Sequence, residues 1–181
     1  KQAYDEAGQP IEGKYIQPDG SISSTETRSS TGKSALPTSY LGLNTQVTYK
    51  NWDFAISGHG SFGNYMYNFV AADQYTQSVY SDQGSYSNIL RATKDTGFQT
   101  QQLYSDYFLE DASFFRIDNI SLGYTFNKLW NSSSSLRLTL GVQNVAIFTG
   151  YSGIDPEIYS GIDREVYPRP RTYSFSASLT F

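Results

Sequence analysis

The 181-residue sequence contains no cysteine and a single histidine, His59. Without thiols the chain can form neither a disulfide nor a thiolate metal site, and one imidazole excludes a centre built from several histidines. No serine and carboxylate pattern accompanies His59, so the sequence predicts no nucleophilic catalysis. We therefore expect no cofactor, no metal and no enzymatic activity.

Charged residues are also scarce. Thirteen Lys and Arg stand against seventeen Asp and Glu, which gives a formal net charge of -4, and charged residues make up 17% of the chain. Soluble domains carry roughly 25%. Proteins that bind nucleic acid draw most of their affinity from basic patches, which this composition does not supply. Nucleic acid is therefore excluded as a partner.

Long hydrophobic runs are absent, because no stretch approaches the ~18–20 apolar residues of a transmembrane helix. A membrane protein is not excluded by this, since the strands of a membrane barrel alternate apolar and polar residues and average out in hydropathy. No signal peptide opens the chain. The first residues, beginning at Lys1, resemble the middle of a protein, so we expect a fragment of a longer polypeptide.

Aromatic residues are abundant, with sixteen Tyr, eleven Phe and two Trp making 16% of the chain. They favour strands, and the alternating segments have the period of two that strands require. The predicted strands are residues 39–49, 52–64, 114–126, 135–146 and 171–181. Residues 1–38 are polar and rich in turn signals, and we expect a loop there. Residues 65–113, with one short helix within 89–103, and residues 146–170 are predicted to be long loops.

The five strands have a nearly uncharged polar face of Ser, Thr, Asn, Gln and Gly. A soluble sheet facing water normally carries Lys and Glu there, whereas the interior of a membrane barrel needs no such charge. Short and long connections also alternate, as periplasmic turns and extracellular loops do in outer-membrane barrels. The chain stops on an aromatic residue, Phe181, within a strand. The alternative is a soluble carbohydrate-binding β-sandwich with aromatic platforms, because alternation alone fits both.

Five strands are too few to close a barrel, since about eight enclose a small core and about twenty-two enclose a plugged lumen. The sequence thus predicts an all-β fold, the C-terminal strands of an antiparallel transmembrane β-barrel of about 22 strands with long extracellular loops. If the short turns are periplasmic, the C-terminus lies in the periplasm. The parity of His59 then points it toward the lumen as a polar wall residue.

One strand contains a phase error, because Phe115 and Ile117 alternate out of step with Ile120. A β-bulge near Asp118 would restore the phase, since a bulge inserts one extra residue into a strand. Alternatively, this end of the strand lies above the lipid, where a polar outward side chain costs nothing. Both possibilities are compatible with the sequence.

Several stretches together resemble the C-terminal region of the SusC/RagA group of TonB-dependent transporters of Bacteroidota. They are Tyr49-Lys50-Asn51-Trp52-Asp53-Phe54, Gly60-Ser61-Phe62-Gly63-Asn64-Tyr65, Phe115 to Tyr124, Gly141-Val142-Gln143-Asn144, Gly150 to Glu157 and Tyr167 to Tyr173. The resemblance implies a bacterial outer-membrane protein for nutrient uptake, importing glycans or peptides through a plugged barrel. It also implies a SusD-like lipoprotein as partner, and TonB acting through an N-terminal part that is missing here.

Two sets of residues are candidates for contacts. Tyrosines of the 65–113 segment suit sugar stacking or a protein interface, or alternatively pack the loop on itself. They are Tyr75, Tyr80, Tyr86, Tyr104 and Tyr107. The last strand resembles the assembly signal read by the barrel-insertion machinery, which an edge strand could meet by β-augmentation, although the same residues could simply face outer-membrane lipid. They are Tyr173, Phe175, Leu179 and Phe181.

Overall fold

The computed structural model describes residues 1–74, 91, 93–102, 105–130, 133–164 and 167–181. Its strands are β1 (Gln2–Tyr4), β2 (Pro10–Ile16), β3 (Ile22–Ser23), β4 (Ser39–Tyr49), β5 (Trp52–Phe62), β6 (Tyr65–Asn68), β7 (Leu109–Asp111), β8 (Phe114–Asn127), β9 (Ser135–Thr149), β10 (Ile162–Asp163) and β11 (Thr172–Thr180). Its helices are α1 (Phe69–Gln74), α2 (Thr93–Thr96) and a 3-10 turn at Asp106–Phe108. The predicted all-β fold class is confirmed. None of the helices in these ranges is long and apolar enough to cross a membrane.

The chain divides into two compact units. The strand unit comprises Pro37–Gly63, Ser113–Gly150 and Tyr167–Phe181, and the loop unit comprises Lys1–Leu36, Asn64–Ala112 and Tyr151–Val166. The loop unit is thus assembled from the segments that precede β4 and that join β5 to β8 and β9 to β11. Each unit has its own sheet pairing.

The strand unit is one antiparallel sheet with the order β11-β9-β8-β5-β4. Its neighbours follow one another along the chain, as in an up-and-down barrel wall. Strands β8 and β9 contain 14 and 15 residues, so β9 extends three residues beyond the strand predicted over 135–146. A tight turn at Lys50–Asn51 joins β4 to β5, and a short connection of residues 128–134, of which 131 and 132 are not described, joins β8 to β9. Lys50 and Lys128 adopt positive φ angles of 53° and 57° there.

One face of this sheet is apolar, because the register aligns large apolar side chains in rows across the strands. On β9 the successive rows are marked by Leu136, Leu138, Leu140, Val142, Ala146 and Phe148. On β5, which has no extra residue, the rows are two residues apart, so six rows would cover about 34 Å at ~3.4 Å per residue. The bulge widens one interval on β9, between Val142 and Ala146. With the strand tilt of about 35–45° found in membrane barrels, the apolar band would be about 25 Å tall.

The apolar face is open to solvent in the isolated chain. The exposed fractions are 66% for Tyr49, 58% for Leu140 and 66% for Phe175. A β-sandwich would bury such a face against a second sheet about 10 Å away. No second sheet covers the face within the strand unit, which the structure describes apart from residues 131 and 132. This corrects the alternative prediction of a soluble carbohydrate-binding β-sandwich.

The opposite face carries small polar side chains and one cross-strand ion pair. Arg137 on β9 donates from Nη2 to Oδ1 of Asp53 on β5 at 2.5 Å, although β8 lies between the two strands. The pair closes over Gly123, where an added Cβ would overlap the Asp53 carboxylate. Any larger residue at this position would have to displace the Asp53 carboxylate from this pair.

The predicted bulge near Asp118 is confirmed. Between Ile117 and Asn119 the pairing of β8 shifts with respect to β9, and the matching shift against β5 falls between Ser57 and Gly58. The extra residue restores the phase, so Ile117 pairs with Gly58 on the apolar face. On β9 the irregularity is accommodated by Asn144, whose φ is 51°.

The loop unit contains more secondary structure than the sequence predicts. Residues 1–38 were predicted as a loop, yet β1, β2 and β3 form a three-stranded sheet there, and β10, β6 and β7 form a second one. These strands contain two to seven residues. Alternation over so few residues is no clear signal, and strand β6 pairs with β7 and β10, which are distant from it in the chain. The N-terminus of helix α1 is capped by Asn68, whose Oδ1 accepts a hydrogen bond from the backbone N–H of Ala71 at 2.9 Å.

Candidate functional site

The bulge on β8 gathers a polar cluster on the polar face of the strand unit. The bulged residue, Asp118, reaches His59 on β5, with 2.7 Å between Asp118 Oδ2 and His59 Nδ1. Because a carboxylate only accepts, the Nδ1 of His59 carries the proton. The ring of His59 also lies edge-on to Phe114, with 5.6 Å between the ring centroids. The bulge thus directs the Asp118 carboxylate toward His59, and bulges near functional surfaces commonly redirect a side chain in this way.

Arg116 extends this cluster toward β9. Its guanidinium is buried, with 4% of the residue exposed, and Nη1 donates to Asn144 Oδ1 at 2.8 Å. The amide nitrogen of Asn144 donates in turn to the backbone oxygen of Arg169 at 2.7 Å. This relay ties the segment before β11 to the middle of the sheet. It fixes a positive charge beside the His59–Asp118 pair in a polar wall.

A second polar network lies in the loop unit around Glu110 on β7. The amide of Asn68 and the hydroxyl of Ser152 both donate to Glu110 Oε1, at 3.0 and 2.7 Å. The backbone N–H of Ser152 donates to Oε2 at 2.8 Å. One carboxylate therefore holds three segments together, which are the end of β6, strand β7 and the turn after β9.

Tyr151 and Asp163 form a buried polar pair in this unit. Their exposed fractions are 6% and 2%, and the tyrosine hydroxyl donates to Asp163 Oδ2 at 2.7 Å. Burial raises the pKa of Tyr151 well above its usual value, and the hydrogen bond to Asp163 and the nearby charges of Asp163 and Glu110 raise it further. The hydroxyl therefore stays protonated and serves as a permanent donor to the carboxylate.

Neither network has the form of a catalytic centre. Within the ranges given above, no group of three or more His, Asp or Glu side chains is placed to hold a metal ion. One hydrogen bond joins Asp118 to His59, and another joins Asp163 to Tyr151. The arrangement organises a polar wall and anchors the segments that connect its strands.

Comparison with known proteins decides the family. No family model matches the chain. The TonB-dependent receptor SusC of Bacteroides thetaiotaomicron is 37% identical over 189 aligned residues, covering 100% of the chain and 19% of SusC. The structure of the RagAB peptide transporter superimposes with a TM-score of 0.73 at 20% identity, covering 100% of this chain and 22% of that one. This chain is a SusC/RagA-like segment of a TonB-dependent receptor.

A further relative is the TonB-dependent receptor P26 of Formosa agariphila, 26% identical over 173 residues, which covers 82% of the chain and 17% of that receptor. The chain spans about a fifth of the length of the curated relatives it matches. These relatives are named as receptors, and the superimposed structure as a transporter, rather than as enzymes. The SusC/RagA relationship supports outer-membrane localisation, and the five-stranded sheet matches part of the barrel of a TonB-dependent transporter.

Of the tyrosines predicted to contact a ligand or partner in this SusC/RagA-like segment, Tyr107 lies within the described residues. Its ring packs edge-on against Phe98 and Phe108, with centroid distances of 6.0 and 5.1 Å, beside buried Ala71 and Ala72. This is the packing of the loop on itself that the sequence left open. The other four lie outside the described residues, and they are Tyr75, Tyr80, Tyr86 and Tyr104.

The predicted assembly residues share the apolar face of β11, which is an edge strand of the described sheet. Tyr173 pairs with Val142, Phe175 with Leu140 and Leu179 with Leu136. The exposed fractions are 72% for Tyr173, 66% for Phe175, 43% for Leu179 and 86% for Phe181. Tyr173, Phe175 and Leu179 therefore lie along one face of β11, and Phe181 follows the last residue of the strand. The Glu110 and Asp163 networks were not predicted, because their members are 12 to 84 residues apart in the chain.

Proposed function

We propose that the protein containing this chain is a TonB-dependent outer-membrane transporter that imports oligosaccharides or oligopeptides together with a SusD-like surface lipoprotein. The observation that carries the proposal is the 37% identity to SusC over the whole chain. The two faces of the strand unit support it, because an exposed apolar band of about 25 Å and a polar opposite face are what a barrel wall between lipid and lumen requires.

The proposed orientation follows from the connections. The tight turn at Lys50–Asn51 and the short connection of residues 128–134 would lie in the periplasm, and the three segments of the loop unit would be extracellular. The C-terminus would then be periplasmic, and the polar face with His59 would line the lumen. TonB would supply the energy through the N-terminal part of the transporter. A barrel of about 22 strands, closed by the rest of the polypeptide, remains a prediction.

The nature of the cargo depends on the extracellular segments. Tyrosine rings present a flat apolar face and a polar tip, which suits stacking on sugars and contacts with a protein partner alike. Tyr75, Tyr80, Tyr86 and Tyr104 are proposed for such contacts. Tyr107, with its ring held by Phe98 and Phe108, would support the segment that presents them.

The first experiment is affinity purification of the full-length protein from detergent-solubilised outer membranes, followed by mass spectrometry. We expect a SusD-like lipoprotein in stoichiometric amount. Bound glycans or peptides that co-purify would identify the cargo. A porin from the same membranes, carrying the same tag, serves as the control for proteins that co-purify nonspecifically.

Two results would contradict the proposal. A protein that stays soluble and monodisperse after detergent removal would exclude the barrel. If the protein depends on detergent but no lipoprotein co-purifies with it, the barrel prediction stands and the proposed uptake together with a lipoprotein is contradicted.

A further inference from the structure

A groove of about 510 Å³ crosses the apolar face of the strand unit near the β4–β5 and β8–β9 connections. Trp52 of β5 with Tyr124 and Phe126 of β8 line one side, Leu138 and Leu140 of β9 lie in the middle, and Phe175 of β11 lines the other side. The residue that pairs with Leu138 on β11 is Ala177. Its small side chain leaves the depression open between larger neighbours.

The aromatic side of the groove is preorganised. Trp52 and Tyr124 pack edge-on with 4.7 Å between ring centroids, and Tyr124 packs in the same way on Phe126 at 4.6 Å. Because Tyr124 packs against both other rings, the three rings have little freedom to collapse into the groove. The groove is therefore expected to stay open, and almost all of the atoms that line it are apolar.

Two lysines stand at the end of the groove that faces the turns. Lys50 and Lys128 each lie two residues from a lining aromatic residue, Trp52 and Phe126 respectively, and both are exposed. The two turns are neighbours, because the backbone N–H of Thr125 donates to Asn51 O at 2.9 Å. In the part of the chain that the structure describes, neither ammonium group has a carboxylate partner.

We propose that this groove binds one acyl chain of an anionic phospholipid, whose phosphate is held by Lys50 and Lys128. The groove supplies an apolar slot that starts at the level of the turns, and the lysines supply the complementary charge where the headgroup would lie. The inference rests on the proposed function, since it requires the apolar face to meet lipid. It selects a phospholipid because the paired cations match a phosphate at the membrane surface.

The test uses the full-length transporter, delipidated in detergent and titrated with phosphatidylglycerol or phosphatidylcholine of identical acyl chains, with bound lipids counted by native mass spectrometry. We expect at least one phosphatidylglycerol to bind more tightly than phosphatidylcholine. Leu138→Trp, which fills the groove, should abolish that binding. Leu43→Trp is the matched control, because Leu43 lies on the same face of β4 and outside the groove.

A second variant leaves the groove intact. Lys50→Gln combined with Lys128→Gln should bring the affinity for phosphatidylglycerol down to that for phosphatidylcholine, with a loss of about fivefold for each lysine. Heat-modifiable migration on gels verifies that each variant is a folded barrel. Equal binding of both lipids by the wild type, or unchanged binding by Leu138→Trp, overturns the proposal while leaving the transporter in place. A protein that needs no detergent would instead overturn the proposed function.

Discussion

At the scale of single residues, the buried pair of Tyr151 and Asp163 shows how the connecting segments are held. A carboxylate that is 2% exposed needs a donor, and Oδ2 receives one from the tyrosine hydroxyl at 2.7 Å. The pKa of Tyr151 is raised in the folded protein, so folding favours the protonated form. The resulting stabilisation is complete below the unfolded pKa of about 10 and is lost as the pH rises above it.

Replacing Tyr151 by Phe should loosen the turn around it. The change removes the donor of a buried acceptor, which costs about 1–3 kcal/mol. If the substitution lowers the free energy of local opening by this amount, amide hydrogen exchange across residues 151–163 of the full-length protein should accelerate about 5- to 150-fold. The matched control is Tyr159→Phe in the same segment, because Tyr159 is 97% exposed. Equal exchange in both variants would show that the hydrogen bond contributes nothing to local stability.

At the scale of elements, long alternating strands could be predicted from the sequence and short ones could not. In β8 and β9, strands of 14 and 15 residues, an apolar side chain recurs at every second residue on each side of the bulge, which no other structure explains as well. The phase error at Asp118 even indicated the bulge. Strands such as β3 and β10 contain two residues each. Strand β10 depends on pairing with the distant β6, and Glu110 contacts residues 42 positions away, so local patterns indicate neither. Strand β3 pairs locally with β2, but two residues are too few for alternation to show.

The two faces of β9 provide a direct test of the membrane assignment. Leu140 lies in the third of the six apolar rows, near the middle of the band, and its neighbour Thr139 lies on the polar face. Leu140→Arg should lower the unfolding free energy of the barrel by about 2–4 kcal/mol, the cost of arginine facing the bilayer midplane. Thr139→Arg should cost much less. Urea titration in lipid vesicles measures both, and equal costs would show that Leu140 does not face lipid.

At the scale of the whole molecule, the described sheet has to be completed. In the described structure β4 pairs only with β5, and β11 only with β9, while unpaired edges inside hydrocarbon are prohibitive. The remaining strands of the proposed barrel would close both edges. Until that happens, the edge of β11, with its exposed row from Tyr173 to Phe181, is available to pair with another strand.

Deleting Phe181 should therefore lower the amount of assembled transporter. The apolar side chain at the end of β11 would be lost while the other rows remain. The fraction of protein that migrates as a heat-modifiable barrel in outer membranes is the measurement, and we expect a decrease of several fold. Thr180→Ala, which changes the polar face of the same strand, is the control. Normal surface levels after the deletion would show that this strand end is no assembly signal.

The height of the apolar band has one more consequence. At the strand tilt of membrane barrels, six rows would give about 25 Å, which is shorter than the ~30 Å hydrocarbon core of an average bilayer and closer to the thin outer membranes of bacteria. In a thicker bilayer, the lipids around the proposed barrel would have to compress or the barrel would have to tilt further, each at a cost that grows with every ångström of mismatch. With that tilt, the spacing of side chains along the strands would favour a thin membrane over a thicker one.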